Sequence, residues 1–139
     1  MCPELSGLVA YAVVFGSRVS GTARRDSDVD VGLRPRPGRS LELLRMLPEV
    51  AVTLAERSGV PLQMIDVAVL DVERAESLPF LYRALAGGEF VCGDRRLYVE
   101  DLARVASMYA DFRVQLAKVG YMRRYAEKYA EGCGGVARG

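Results

Sequence analysis

The sequence predicts an α/β (α+β) fold: a small mixed sheet flanked by helices, with a long C-terminal helical segment. Three observations carry this. Short Val-rich apolar runs recur at 9–15, 29–33 and 62–70, bounded by Gly, Pro and polar turns. Between them the apolar residues take helical spacing, and from Leu97 to Glu131 a single helical pattern runs on without a strand. No repeat of 20 to 50 residues is visible. At 139 residues and 15.2 kDa the chain is expected to form one compact domain with a proper core.

The elements follow in order. VAYAVVF, Val9 to Phe15, ends at Gly16 and reads as a buried strand. Ser17 stands where a helix can start. Val29 to Leu33 is a second strand in which Asp28 and Asp30, two apart, point to one face. Arg34 to Ser40, RPRPGRS, reads as a loop. Ser40 can cap a short helix over Leu41 to Met46, Pro48 can open another, and Gly59 can end it. LQMIDVAVL, Leu62 to Leu70, reads as a central strand buried on both faces, with Asp66 as its oddity. Ser77 can cap a helix carrying Leu78, Leu81, Tyr82 and Leu85, closed by Gly87 and Gly88, and Glu89 to Cys92 reads as a short edge strand. Unbroken, the last helix would span about 50 Å at ~1.5 Å per residue, so either it breaks at Gly120 or its end projects. The expected domains are a core at 1–94, a helical extension at 95–131 that meets a partner, and a flexible tail at 132–139.

Composition narrows the chemistry. There is no histidine, which excludes Ser-His-Asp and Cys-His catalysis and histidine metal sites. Cys2, Cys92 and Cys133 suggest neither a disulfide framework nor a metal knuckle, so a reducing cytoplasm is expected. No signal-like or membrane-spanning stretch is present. Of 19 basic residues 17 are Arg, and Asn and Trp are absent, as a thermophile or a GC-rich genome would each produce. The net charge of +1 argues against a dedicated nucleic-acid binder, yet it averages an acidic middle (40–94, −5) with a basic end (95–139, +4). That basic end reads equally well as a solvated helix face or a docking surface.

Taken singly, the candidate residues are weak. Gly16, Gly21 and Thr22 imitate part of a P-loop, but its lysine is missing. Asp26, Ser27 and Asp28 can be a polar turn, and Asp66 a buried cap. Together they fit one chemistry. A strand ending in Gly16-Ser17 and feeding a helix offers N–H groups and a hydroxyl to phosphate. Two aspartates on one strand face can hold Mg²⁺, and a third on a neighbouring strand can complete a two-metal clamp or accept a proton. This suits nucleotidyl transfer and needs no histidine.

The stretch GSRVSGTARRDSDVDVGL, Gly16 to Leu33, resembles the signature of the polymerase beta-like nucleotidyltransferase superfamily, Gly-Ser followed after ten residues by Asp-x-Asp. Within it the chain is most similar to the minimal nucleotidyltransferases (MNT). MIDVAVL places Asp66 at the family's third aspartate, and LPFLYRALAGGEFVCGD resembles the helix and last strand of these proteins. The segment from Tyr109 to Gly132 resembles the tail of MNT proteins encoded beside a HEPN-domain partner. One departure stands at Val19 and Ser20, where relatives usually have Ala-Arg; Arg18, Arg24 or Arg25 can substitute.

The resemblance implies a polymerase beta-like fold in which Gly16, Ser17 and Arg18 bind the nucleotide, Asp28 and Asp30 ligate Mg²⁺, and Asp66 is a third metal ligand or general base. It implies two Mg²⁺ ions, ATP as substrate and a HEPN-domain RNase toxin as partner, neutralised by transfer of AMP to a tyrosine hydroxyl. No membrane and no direct nucleic-acid partner are expected; self-association is left open. The competing readings are a stand-alone adenylyltransferase acting on a small molecule, disfavoured by length, and a catalytically silent antitoxin, disfavoured by the three aspartates.

Overall fold

The computed structural model describes residues 7–16, 29–74 and 77–132. In chain order the elements are β1 (Val9–Phe15), β2 (Val29–Pro35), α1 (Ser40–Arg45), α2 (Leu47–Ser58), a single 3₁₀ turn (Leu62–Met64), β3 (Ile65–Val69), α3 (Leu78–Ala86), β4 (Glu89–Gly93) and α4 (Arg95–Gly132). The four strands form one mixed sheet in the order β3-β2-β1-β4. β1 runs antiparallel to both neighbours, and β2 is parallel to β3. A mixed sheet flanked by helices and followed by one long helix is the fold class expected from the sequence.

β1 is central and nearly all buried, as its unbroken apolar run requires. Its two faces feed two cores. Ala12, Val31 and Leu33 pack with Leu43 of α1 and Val50 and Leu54 of α2. Tyr11, Val13 and Phe15 pack with Leu81, Ala84 and Leu85 of α3 and Val105 of α4. Ala10 and Tyr11 share that second face although adjacent, because the β1–β2 register shifts between Val9 and Tyr11.

Several expectations need correction. β2 does not stop at Leu33: Arg34 and Pro35 continue the strand, fully inside, and the loop begins at Arg36. Proline is tolerated there because it is the strand's last residue. The run 62–70 is not a central strand. It opens with the 3₁₀ turn, and β3 lies at the sheet edge with Asp66 exposed. Ser40 is the first residue of α1 and makes no capping bond; in α3 it is Ala84, rather than the exposed Tyr82, that completes the buried face. Cys92 is disulfide-bonded, against the expectation of isolated thiols; sequence spacing carries no information on which sulfurs approach.

Other signals read true. Gly59 ends α2 in a left-handed conformation, φ +73°, and its N–H caps Ala55 O. Pro48 lies in the first turn of α2. Helix α4 starts at Arg95 because Asp94 Oδ1 accepts the Leu97 N–H at 3.1 Å. Gly120 lies within the helix and does not interrupt it.

The chain divides into two units, 1–106 and 107–139. The first contains the sheet, both cores and the opening turns of α4. There a buried charge cluster is sealed: Asp101 Oδ2 accepts bonds from Tyr11 Oη at 2.7 Å and Arg34 Nε at 3.0 Å, while Arg34 Nη1 donates to Pro35 O at 2.7 Å. Burial by itself would lower the Arg34 pKa, but the bond to Asp101 and its charge more than offset this, and the net shift is upward. In the second unit Tyr109 stacks on Phe112 and the helix leaves Val114, Leu116, Val119, Tyr121 and Met122 exposed. Among the described residues no helix is long and apolar enough to cross a membrane.

Candidate active site

The parallel pairing of β2 with β3 sets Asp30 directly against Asp66. Register partners on adjacent parallel strands project to the same face, about 4.8 Å apart along the hydrogen-bonding direction. Two carboxylates on an edge pair repel each other unless a cation stands between or beside them. The sequence gives β3 no other charge, so Asp66 is out of place in an apolar strand on structural grounds alone.

Beside Asp30, β1 ends. Phe15 is Asp30's register partner, and the next residue, Gly16, turns the chain with φ +95°. A Cβ at Gly16 would overlap Asp30 Oδ2. The glycine is thus required twice, once for the left-handed turn and once to let the backbone lie against the carboxylate. Both carboxylates and Gly16 line one cleft of about 260 Å³, whose far wall is Phe80 and Arg83 of α3. Phe80 is fixed edge-to-face on Phe15 at 5.6 Å between centroids. Asp30 is half-buried and Asp66 exposed, so the site is open to a ligand from solvent.

Of the residues expected from sequence, the structure brings Gly16, Asp30 and Asp66 together. Ser17, Arg18 and Asp28 lie outside the described residues. Phe80 and Arg83 were missed. Arg83 is the single charge in LPFLYRALA, which is the signal that marks it, but nothing in helical spacing says that this face meets β2 and β3.

The donor set fits Mg²⁺. It is all oxygen, and that ion typically takes one or two carboxylates and completes its shell with water and substrate phosphate. Among the described residues no group of three or more acidic, His or Cys side chains forms a closed metal cage. An open site of this kind leaves positions for substrate oxygens.

The family model described as a nucleotidyltransferase domain matches residues 2–58. No curated protein matches the chain. Among solved structures, a chain of a toxin–antitoxin complex with AMP-PNP is similar at a TM-score of 0.59 and 19% identity, covering 85% of this chain and 88% of that one. A chain of the toxin–antitoxin MntA–HepT is similar at 0.58 and 16%, covering 85% and 86%. A chain from the complex of the tri-AMPylated Shewanella oneidensis HEPN toxin with MNT antitoxin is similar at 0.53 and 16%, covering 86% and 85%. At such identities the likeness is one of fold. The match over residues 2–58 spans Gly16 and Asp30, two of the residues that form the cleft, so the part of the chain that builds this side of the site is similar to a nucleotidyltransferase domain.

Proposed function

We propose that this protein is a nucleotidyltransferase that transfers AMP from ATP to a tyrosine hydroxyl of a HEPN-domain RNase toxin, and so acts as its antitoxin. The observation that carries the reading is the register of Asp30 on Asp66 in one open cleft against Gly16. The toxin as acceptor is supported by the solved chains of similar fold, one from a complex of a tri-AMPylated HEPN toxin with MNT antitoxin and another from a toxin–antitoxin complex with AMP-PNP.

The chemistry is an in-line displacement at the α-phosphorus. The phenolic oxygen forms a bond to phosphorus, the bond to the bridging oxygen breaks, pyrophosphate leaves with that electron pair, and the phenolic proton passes to a carboxylate. Asp28, Asp30 and Asp66 would hold Mg²⁺, which when bound neutralises charge on the transferring phosphoryl group. Asp30, half-buried against Gly16, is the fixed anchor of the set. Asp66, exposed at the sheet edge, either shares that role or takes the proton. Gly16 and the Ser17 and Arg18 that follow would bind the phosphates. The core of 1–94 would hold ATP, and the extension 95–131, whose exposed apolar residues alternate with Arg113, Lys118, Arg123 and Arg124, would meet the toxin.

The test is incubation with Mg-ATP and the co-expressed HEPN partner, followed by mass spectrometry of that partner. AMP is expected on a tyrosine of the toxin, and none with the Asp28→Ala, Asp30→Ala double variant. If no adduct forms and that variant still neutralises the toxin, the protein acts by binding alone and the transfer reading fails.

A further inference from the structure

Among the described residues the cleft has an anionic floor and one cation. Asp30 and Asp66 stand on the sheet side, and Arg83, on α3, faces them across the opening. Among the described residues the other arginine near this sheet face, Arg34, is sealed under Asp101, whereas Arg83 is exposed and makes no ion pair. A cation in the last turn of a helix is commonly explained by the helix dipole, and α3 does end three residues later. The dipole accounts for a positive charge there; it does not account for its direction. Leu81, Ala84 and Leu85 bind α3 to β1, and Phe80, locked on Phe15, sets the rotation that brings position 83, three residues on, to the cleft.

We propose that Arg83 binds the terminal phosphates of the nucleoside triphosphate from the α3 wall of the cleft, in addition to the groups that follow β1, and holds the pyrophosphate that departs when the bond to the α-phosphorus breaks. This rests on the nucleotidyl-transfer reading above. A triphosphate brings several negative charges to a site that already has two. The carboxylates, with their cation, serve the reacting phosphorus, and the departing phosphates need a separate positive partner. A guanidinium offers them a planar pair of donors and keeps its charge at any working pH.

The experiment is calorimetric binding of ATP, pyrophosphate and AMP in Mg²⁺ buffer, without toxin, to the wild type, Arg83→Ala and Arg83→Lys. Arg83→Ala is expected to weaken ATP and pyrophosphate about tenfold and AMP less than twofold, with an unchanged melting temperature. Arg83→Lys should recover part of the loss. Equal losses for ATP and AMP, or no loss for either, overturn the assignment of Arg83 while leaving the nucleotidyltransferase reading intact. A wild type that binds neither ATP nor pyrophosphate overturns both.

Discussion

Strands β1 and β2 carry a charge cluster at each end, on the same face of the sheet, and the two clusters are built to opposite purposes. At one end Tyr11 and Arg34 are register partners and meet Asp101; at the other Phe15 and Asp30 are register partners and meet Asp66 and Gly16. The first is closed. Every group has its complement, all are buried, and among the described residues no buried side-chain polar atom lacks a partner. The second is open, with two like charges side by side and its cation, Arg83, held across a cleft. A matched cluster out of water fixes structure, and carboxylates gathered in a cleft within reach of water can receive a ligand.

Single substitutions should separate the two ends. Asp66→Asn or Asp30→Asn removes charge where charge develops, with an expected loss of AMP transfer on the order of 10³-fold, several kcal/mol of transition-state stabilisation. Fold and melting temperature should stay close to wild type, as circular dichroism would verify. Asp101→Ala should do the reverse. It leaves the Arg34 guanidinium buried without its carboxylate, at about 3–5 kcal/mol of stability, read as a lower urea midpoint, while the transfer rate per folded molecule is retained. If Asp101→Ala abolishes transfer in protein that is still folded, the two ends are coupled and do not serve separate purposes.

Gly16→Ala falls between these because it acts on both properties. Forcing a side chain to φ +95° is expected to remove about 1–3 kcal/mol of stability. The overlap with Asp30 Oδ2 must also displace that carboxylate, for which a loss of about 10²-fold in transfer is expected. Denaturant melts and the rate of adduct formation on the same preparation distinguish the two contributions. A folded variant with full activity would show that Asp30 does not need its present position.

The open end was legible in the sequence and the closed end was not, for a physical reason. Gly16, Asp30 and Asp66 are exceptions to their surroundings: a glycine after an apolar strand, and carboxylates inside strands that otherwise bury valines. An exception needs no knowledge of its partner to be noticed. Arg34 is equally exceptional in its place, but with two prolines and a glycine nearby it read as loop, and only Asp101, far along the chain, makes a buried arginine tolerable. Asp101 itself looked like one more charge on a helix. The edge position of β3 was hidden for the same reason, since an apolar strand flanked by α2 and the sheet reads like a central one until strand order is known. Arg83 lay between these cases, visible as a lone charge but with no sign of its direction.

The smallest effect gives the most specific test of the closed cluster. Burial first, then the bond to Asp101 and its negative charge, push the Tyr11 hydroxyl well above the ordinary tyrosine value of 10.0. In the unfolded chain that hydroxyl ionises near its ordinary value, while in the folded protein it stays neutral. The unfolded state therefore binds fewer protons above that point, and stability falls as pH rises from about 10 by roughly 1.4 kcal/mol per pH unit for this group. Below pH 10 the group contributes no pH dependence. Tyr11→Phe removes the ionisable group and one bond to Asp101, so at pH 7 the variant should be about 1 kcal/mol less stable. All other titrating groups are common to both proteins. The gap between wild type and variant should hence stay constant up to about pH 10, then close and reverse within about one further unit, as urea midpoints at pH 7, 9, 10.5 and 11 would show. A gap that persists unchanged through pH 11 would mean that Tyr11 ionises freely in the folded protein, and that this end of the strands is no more sealed than the other.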